Sequence, residues 1–313
     1  MRVGYLFDKS SYSPILWYFA IAGRGKSRTG DGLIYVCWRG VSVITVREAH
    51  VIRLATDLRA TIFFDCTDLD KKMKKSDSDD VFLCRFQQGK KVARVLHPDK
   101  GPFEDTEYYE VYGPTVIATN EPVNSILESR SIQTIMPESD RIFNDDVFAE
   151  DGLAYRERLV AFRARHLSQN LPVVGKPIKG RLGDIMRPLL QVLSLFSDDT
   201  EWFMEILHDF ERSQKENISE TKEARVVRAI YESRGQVRNE RLSNEKILEK
   251  INFDKPERYH MAPKSLGWIT RSLNFQKYSD GKQRGIYWDE YLVAMLCGRY
   301  GIEYKQDTGP LTV

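Results

Sequence analysis

The chain is poor in cysteine, with four in 313 residues: Cys37, Cys66, Cys84 and Cys297. None stands in a C-x-x-C pair, and the five histidines do not cluster with them. That argues against a zinc site and against a disulfide framework, so the expected setting is the reducing cytoplasm. A long apolar run is missing too. Residues 15–22 form an apolar run too short to span a bilayer. It lacks the small-residue cleavage site of a signal peptide, so a buried strand is expected and no membrane partner. Charge of one sign is absent as well. Lys and Arg number 47 against 45 Asp and Glu, a net charge of +2, so any nucleic-acid surface has to be local. There are no internal repeats and no low-complexity tract.

What is present is an ordinary globular composition, 42% hydrophobic and 29% charged. The length suggests about two domains at ~100–200 residues each. Three blocks are visible. Residues 1 to about 140 alternate apolar, strand-like runs (15–22, 33–38, 61–65, 115–119) with amphipathic stretches such as 46–58. That alternation predicts an α/β fold with a mostly parallel sheet covered on both faces. Residues 141–215 read as all-helical, with helices over 153–167, 184–196 and 201–212. Residues 216–313 open on a charged stretch, 214–222, read as a linker or a solvated helix start. Helices over 223–233, 243–251 and 263–273 follow, then a hairpin turning at Ser279-Asp280-Gly281 and a last helix over 289–299. Three helices and a hairpin make a winged-helix layout.

The chemistry-bearing motif is Ala22-Gly23-Arg24-Gly25-Lys26-Ser27, after a strand and before a helix. Gly23 and Gly25 let backbone amides curl around phosphate oxygens. Lys26 would reach the β- and γ-phosphates, and the Ser27 hydroxyl would bind Mg²⁺. The helix N-terminus adds a favourable field for the anion. The strict pattern has a first glycine where this chain has Ala20. The run 61–65 ends in Asp65, a carboxylate delivered to the edge of a parallel sheet where ligands bind and placed to hold the Mg²⁺ shell beside Ser27. The next residue is Cys66 where such ATPases usually carry a water-activating Glu, and Asp68 is the nearby substitute. Residues 115–119 end in Asn120, placed to orient water or sense the γ-phosphate. Arg130 would stabilise transition-state charge in a neighbouring subunit, while Arg181 or Arg187, at the start of a later helix, would close over the phosphates. For each of these arginines a surface salt bridge or a solvent-facing position is the plainer alternative.

The order of these parts resembles the AAA+ class of P-loop ATPases. More closely, it resembles a poorly characterised family of ATPase domains found with primase–helicase proteins of plasmids, phages and integrated elements. The resemblance is carried by residues 25–30, 61–65, 88–95, 112–114, 129–132 and 187–190, with 267–299 similar to the winged helix of related elements. It implies a P-loop core over 1–140, a helical lid over 141–215 and a winged-helix DNA-binding domain over 216–313. It also implies ATP and Mg²⁺ as cofactors, with Lys26, Ser27, Asp65 and Asn120 at the nucleotide and Arg130 acting across a subunit interface. The partners implied are DNA, single- or double-stranded, and further copies of the chain in a ring. No primase-like stretch precedes the loop, so a primase would be a separate protein.

Two basic clusters would meet DNA. Lys90 and Lys91, on a hairpin or helix-turn, would line a central pore. Lys264 and Arg271 on the third helix of the last domain, with Lys277, Lys282 and Arg284 on its wing, would bind phosphates in a salt-dependent, largely sequence-blind way. That third helix would enter a major groove. The leading expectation is therefore a DNA-dependent ATPase of helicase or loader type. A non-hydrolysing nucleotide-dependent assembly subunit, suggested by Cys66, stays open. So does a winged-helix regulator with a degenerate core.

Overall fold

In the computed structural model of the chain, the described residues are 1–75, 79–101, 104–139, 142, 143, 145–219, 221–253, 255–281 and 283–305. Two compact units divide it, Met1–Met204 and Glu205–Val313.

The first unit opens with helix α1 (Arg2–Tyr5) and strand β1 (Ile15–Phe19), then α2 (Lys26–Val36), β2 (Val41–Val43), α3 (Glu48–Thr56) and β3 (Ile62–Asp65). Next come α4 (Leu69–Lys75), α5 (Asp79–Phe86), a two-stranded antiparallel hairpin of β4 (Val92–Val95) and β5 (Thr106–Tyr109), β6 (Thr115–Thr119), α6 (Ser125–Glu128) and β7 (Ser131–Ile135). Helices α7 (Leu153–Arg165) and α8 (Gly180–Leu193) follow. Five strands form one sheet in the order β2-β3-β6-β1-β7, every neighbouring pair parallel. The expected α/β core with a mostly parallel sheet is thus present.

The central strands explain that arrangement. β1 reads ILWYF, β3 IFFD and β6 TVIAT, nearly continuous apolar runs rather than alternating ones. Such strands bury both faces. Ile15, Ile62, Phe63, Phe64 and Ile117 are all fully buried, each side chain stabilising by about 1.5–3 kcal/mol. These are the strands that carry the polar tips described below, so the core also holds the site rigid.

Two expectations need correction. Residues 33–38 are not a strand: α2 runs through to Val36, and Ile34 packs with Cys37 on Phe63, Val116 and Ala118. The apolar run faces the sheet from a helix, and the partner surface decided between the two periods. The strand missed there is β2, which is only three residues long. The stretch 214–222, expected as a linker or a helix start, is for most of its length the end of a helix, because α9 (Glu201–Ser219) continues into it.

In the second unit, α10 (Lys222–Glu232) leads to β8 (Arg241–Ser243), α11 (Asn244–Asn252), α12 (Pro263–Ser272), β9 (Lys277–Ser279), β10 (Arg284–Tyr287) and α13 (Glu290–Arg299). Its three strands pair antiparallel in the order β8-β10-β9. Side-chain caps start three of its helices: Thr221 for α10, Ser243 for α11 and Asp289 for α13. Ala224, Val226, Ile230, Leu242, Ile247, Leu266, Ile286 and Val293 are among the residues of its own core. Among the described residues, no helix is long and apolar enough to cross a membrane.

Candidate functional site

Three neighbouring strands, β3, β6 and β1, end at the same carboxyl edge of the parallel sheet, where ligands of open α/β folds bind. From β1 the chain turns through residues 20–25 into α2. Gly23 and Gly25 sit at φ +83° and +76°. Side chains rarely adopt that backbone, so both positions call for glycine. Gly25 is the N-cap of α2, and the first amides of the helix, at Lys26 and Ser27, have no intrahelical acceptor by position. Ala20, in place of the first glycine of the strict motif, is buried, and its amide donates to the Thr119 carbonyl at 3.4 Å.

Lys26 is 8% exposed. Its ammonium donates to the carbonyls of Ala20 and Ile21, both at 2.8 Å. The cation therefore sits inside the loop, held by neutral acceptors that an anion can displace. Ser27 beside it is exposed. Asp65, at the end of β3, and Asn120, just past β6, face the same space. A cleft of about 440 Å³ is lined by Ala22, Gly23, Arg24, Gly25, Lys26, Ser27, Arg28, Asp65, Cys66, Thr67, Ala118 and Asn120.

The tip of β6 is set by a buried relay. Trp17 Nε1 donates to Thr119 Oγ1 at 2.9 Å, and that hydroxyl donates to the Glu121 carbonyl at 2.7 Å. The relay fixes the turn that presents Asn120. On α2, Asp31 lies one turn beyond Ser27. Its carboxyl is held above the usual value, first by burial and then by the negative charge of Asp65. No sequence motif marks Asp31 or Thr119. The helix and the strand that carry them set Asp31 near the charge of Asp65 and Thr119 under the turn, while Asp31 is not among the residues lining the cleft.

Cys66, at the position of the usual Glu, and its nearby substitute Asp68 are both engaged elsewhere. The Cys66 thiol donates to the Ile44 carbonyl at 2.9 Å, and burial pushes its pKa up. It stays a neutral thiol at neutral pH. Asp68 pairs with Lys71 at 2.8 Å, its amide donates to Glu121, and it does not line the cleft. Arg130 lies at the opposite, amino-terminal edge of the sheet, where its carbonyl accepts from the Ile15 amide. Its guanidinium donates to Ile126 O at 2.6 Å and lies 5.5 Å from the Phe86 ring. Burial first, and then the charge of nearby Arg181, lower its pKa. Neither Arg181 nor Arg187 lines the cleft.

Among the described residues, no group of three His, Cys, Asp or Glu stands ready to hold a metal by itself. A divalent ion fits this donor set, the Ser27 hydroxyl and Asp65, in the way Mg²⁺ is held: by few protein oxygens plus phosphates.

The basic clusters are also placed. Lys90 and Lys91 are exposed and lie just ahead of β4, at the root of the hairpin. His97, Asp99 and Lys100 occupy its turn, which sequence patterns did not single out. Lys264 and Arg271 are exposed on α12, Lys277 and Arg284 on the strands of the second unit, and Lys282 lies outside the described residues. The Lys277 ammonium donates to the Gly267 carbonyl of α12.

No family model matches the sequence, and no curated protein does. Among solved structures, the chain is similar to the active helicase Cch of SCCmec type IV. The identity is 11% and the TM-score 0.40, over 96% of this chain and 66% of that one. It is also similar to the apo A form of the NrS-1 C-terminal region, with 11% identity and TM-score 0.36 over 92% of this chain and 70% of that one. A third is the inhibitor-bound JCV helicase, with 14% identity and TM-score 0.27 over 68% and 54%. These likenesses are slight, and the chain spans part of each.

Proposed function

We propose that the chain binds a nucleoside triphosphate with Mg²⁺ in the cleft of the first unit and acts as a DNA-dependent motor of helicase or loader type. The observation that carries the nucleotide reading is the loop itself. Two left-handed glycines lead into α2, and Lys26 is held between the carbonyls of Ala20 and Ile21. Asp65 and Asn120 line the same cleft from adjacent strands.

Amides from Gly23 to Ser27 and the Lys26 ammonium would bind phosphate oxygens, ATP being the expected nucleotide. Ser27 and Asp65 would hold Mg²⁺, which when bound offsets charge on the transferring phosphoryl group. Asn120 would orient water. Arg130, at the far sheet edge, would serve a neighbouring copy's cleft in a homo-oligomeric ring, and Arg181 and Arg187 belong to the lid reading of residues 141–215. Lys90, Lys91, Lys264, Arg271, Lys277 and Arg284 would contact DNA, with residues 216–313 as the winged helix. A mobile-element replication role with a separate primase completes this reading.

One observation favours a second reading. With Cys66 protonated and bonded to Ile44 O, the position of the usual water-activating Glu supplies no general base, so nucleotide would bind and drive assembly without turnover. Measuring ATP hydrolysis with and without single- and double-stranded DNA separates the two. DNA-stimulated turnover supports the motor. Tight nucleotide binding without turnover, with hydrolysis gained in Cys66→Glu, supports the assembly subunit. Absence of nucleotide binding by the wild type overturns both.

A further inference from the structure

Helix α12 shows two faces. Leu266, Ile269 and Thr270 are buried toward the core of the second unit. The opposite stripe is Lys264, Ser265, Trp268, Arg271 and Ser272, all exposed. Trp268 stands at its centre with 68% of its surface open. Lys264 is four residues before it and Arg271 three after, so both cations flank the indole on one face. A third cation, Lys277, is held against the same helix by its bond to the Gly267 carbonyl.

The surroundings select the partner's charge. From Arg258 to Ser279, 22 residues contain no Asp or Glu, in a chain where roughly one residue in seven is acidic. The stripe carries no second apolar side chain beside the indole, so it lacks the contiguous apolar centre of a protein interface. What fits is an anion with a flat ring: phosphates for the cations and a base face for the indole. Inside a closed duplex the base faces are hidden in the stack, whereas a single strand exposes them.

We propose that α12 binds nucleic acid at an unstacked base, with Trp268 as the stacking platform and Lys264, Arg271 and Lys277 on the flanking phosphates. The substrate class is single-stranded DNA. This inference rests on the nucleic-acid reading of the second unit and narrows it: α12 meets a base face rather than reading base edges in a groove.

The test uses the full chain and fluorescein-labelled DNA of one sequence, as single strand and as blunt duplex, followed by anisotropy. The wild type is expected to prefer the single strand. Trp268→Ala should weaken that binding about ten-fold, within the ~1–3 kcal/mol range of base–aromatic stacking, and change duplex affinity less than about two-fold. Trp268→Phe should retain most of the single-strand affinity. Lys264→Ala and Arg271→Ala should weaken both forms and flatten the salt dependence.

Unchanged single-strand affinity in Trp268→Ala, or equal losses on both forms, would overturn the inference while leaving nucleic-acid binding intact. Loss of self-association in Trp268→Ala, with single-strand affinity intact, would overturn it in favour of a protein contact. A wild type that binds neither form removes the inference together with the reading beneath it.

Discussion

Lys26 is held inside its own loop, where its ammonium donates to two carbonyls. Lys26→Ala removes the charge that would meet the phosphates, and nucleotide affinity is expected to fall about 10–100-fold, the range of one charged hydrogen bond. Isothermal titration measures it, and unchanged affinity would remove the loop from the binding site.

Asp31 gives a pH signature. Its folded pKa lies above the ordinary value, so the ionised form is disfavoured in the folded state. Its contribution to stability is full below the unfolded pKa and is lost as pH rises through the folded one. Asp31→Asn should therefore raise the Tm at pH 7 and leave it unchanged near pH 3, checked by thermal melts at both values.

Arg85 is a fully buried charge of the first unit. Its guanidinium donates to Thr115 Oγ1 and to the carbonyls of Val111, Ala60 and Pro114. No carboxylate is among these acceptors. Burial lowers its pKa to about 9, which still leaves a cation at neutral pH. Arg85→Met strands those acceptors and should cost about 3–5 kcal/mol in urea unfolding.

Among the elements, α2 is seated closely on the sheet. Gly30 lies against the ring of Phe63 on β3, and a Cβ there would overlap that ring. Phe63 is fully buried and cannot yield. Gly30→Ala should push the helix off the sheet, destabilising the fold by about 1–3 kcal/mol and weakening nucleotide binding because Lys26 and Ser27 ride on its first turn. A denaturant melt and a titration together check this, and a loss of stability with unchanged affinity would show that the loop does not follow the helix. The hairpin teaches the converse. Its lysine pair was visible in the sequence, but which residues occupy its turn depended on where β4 and β5 begin, and those strands are four residues each. The α2 misreading has the same origin: a short apolar run fits a strand or a helix equally until a partner surface is specified.

The whole molecule has two units with separate cores. Ile286 is fully buried in the second. Ile286→Ala should destabilise that unit by about 2–5 kcal/mol while nucleotide affinity in the first stays unchanged. Calorimetry with a parallel titration tests this, and a change in affinity would mean that the units are coupled.

The sequence by itself determined the α/β class of the first unit, the strands 61–65 and 115–119, most helices after residue 150, and the loop around Lys26. These are contiguous signals: buried parallel strands read as unbroken apolar runs, and the loop needs glycines beside a lysine. The tertiary structure alone decided which strands are neighbours, and so that Asp65 and Asn120 share a cleft with Lys26. It also decided that Asp31 lies within reach of the charge of Asp65, that Cys66 is spent on Ile44 O and that Arg130 stands at the far edge of the sheet. Each of these depends on residues distant in sequence, and strand order, not local pattern, sets the distances between them.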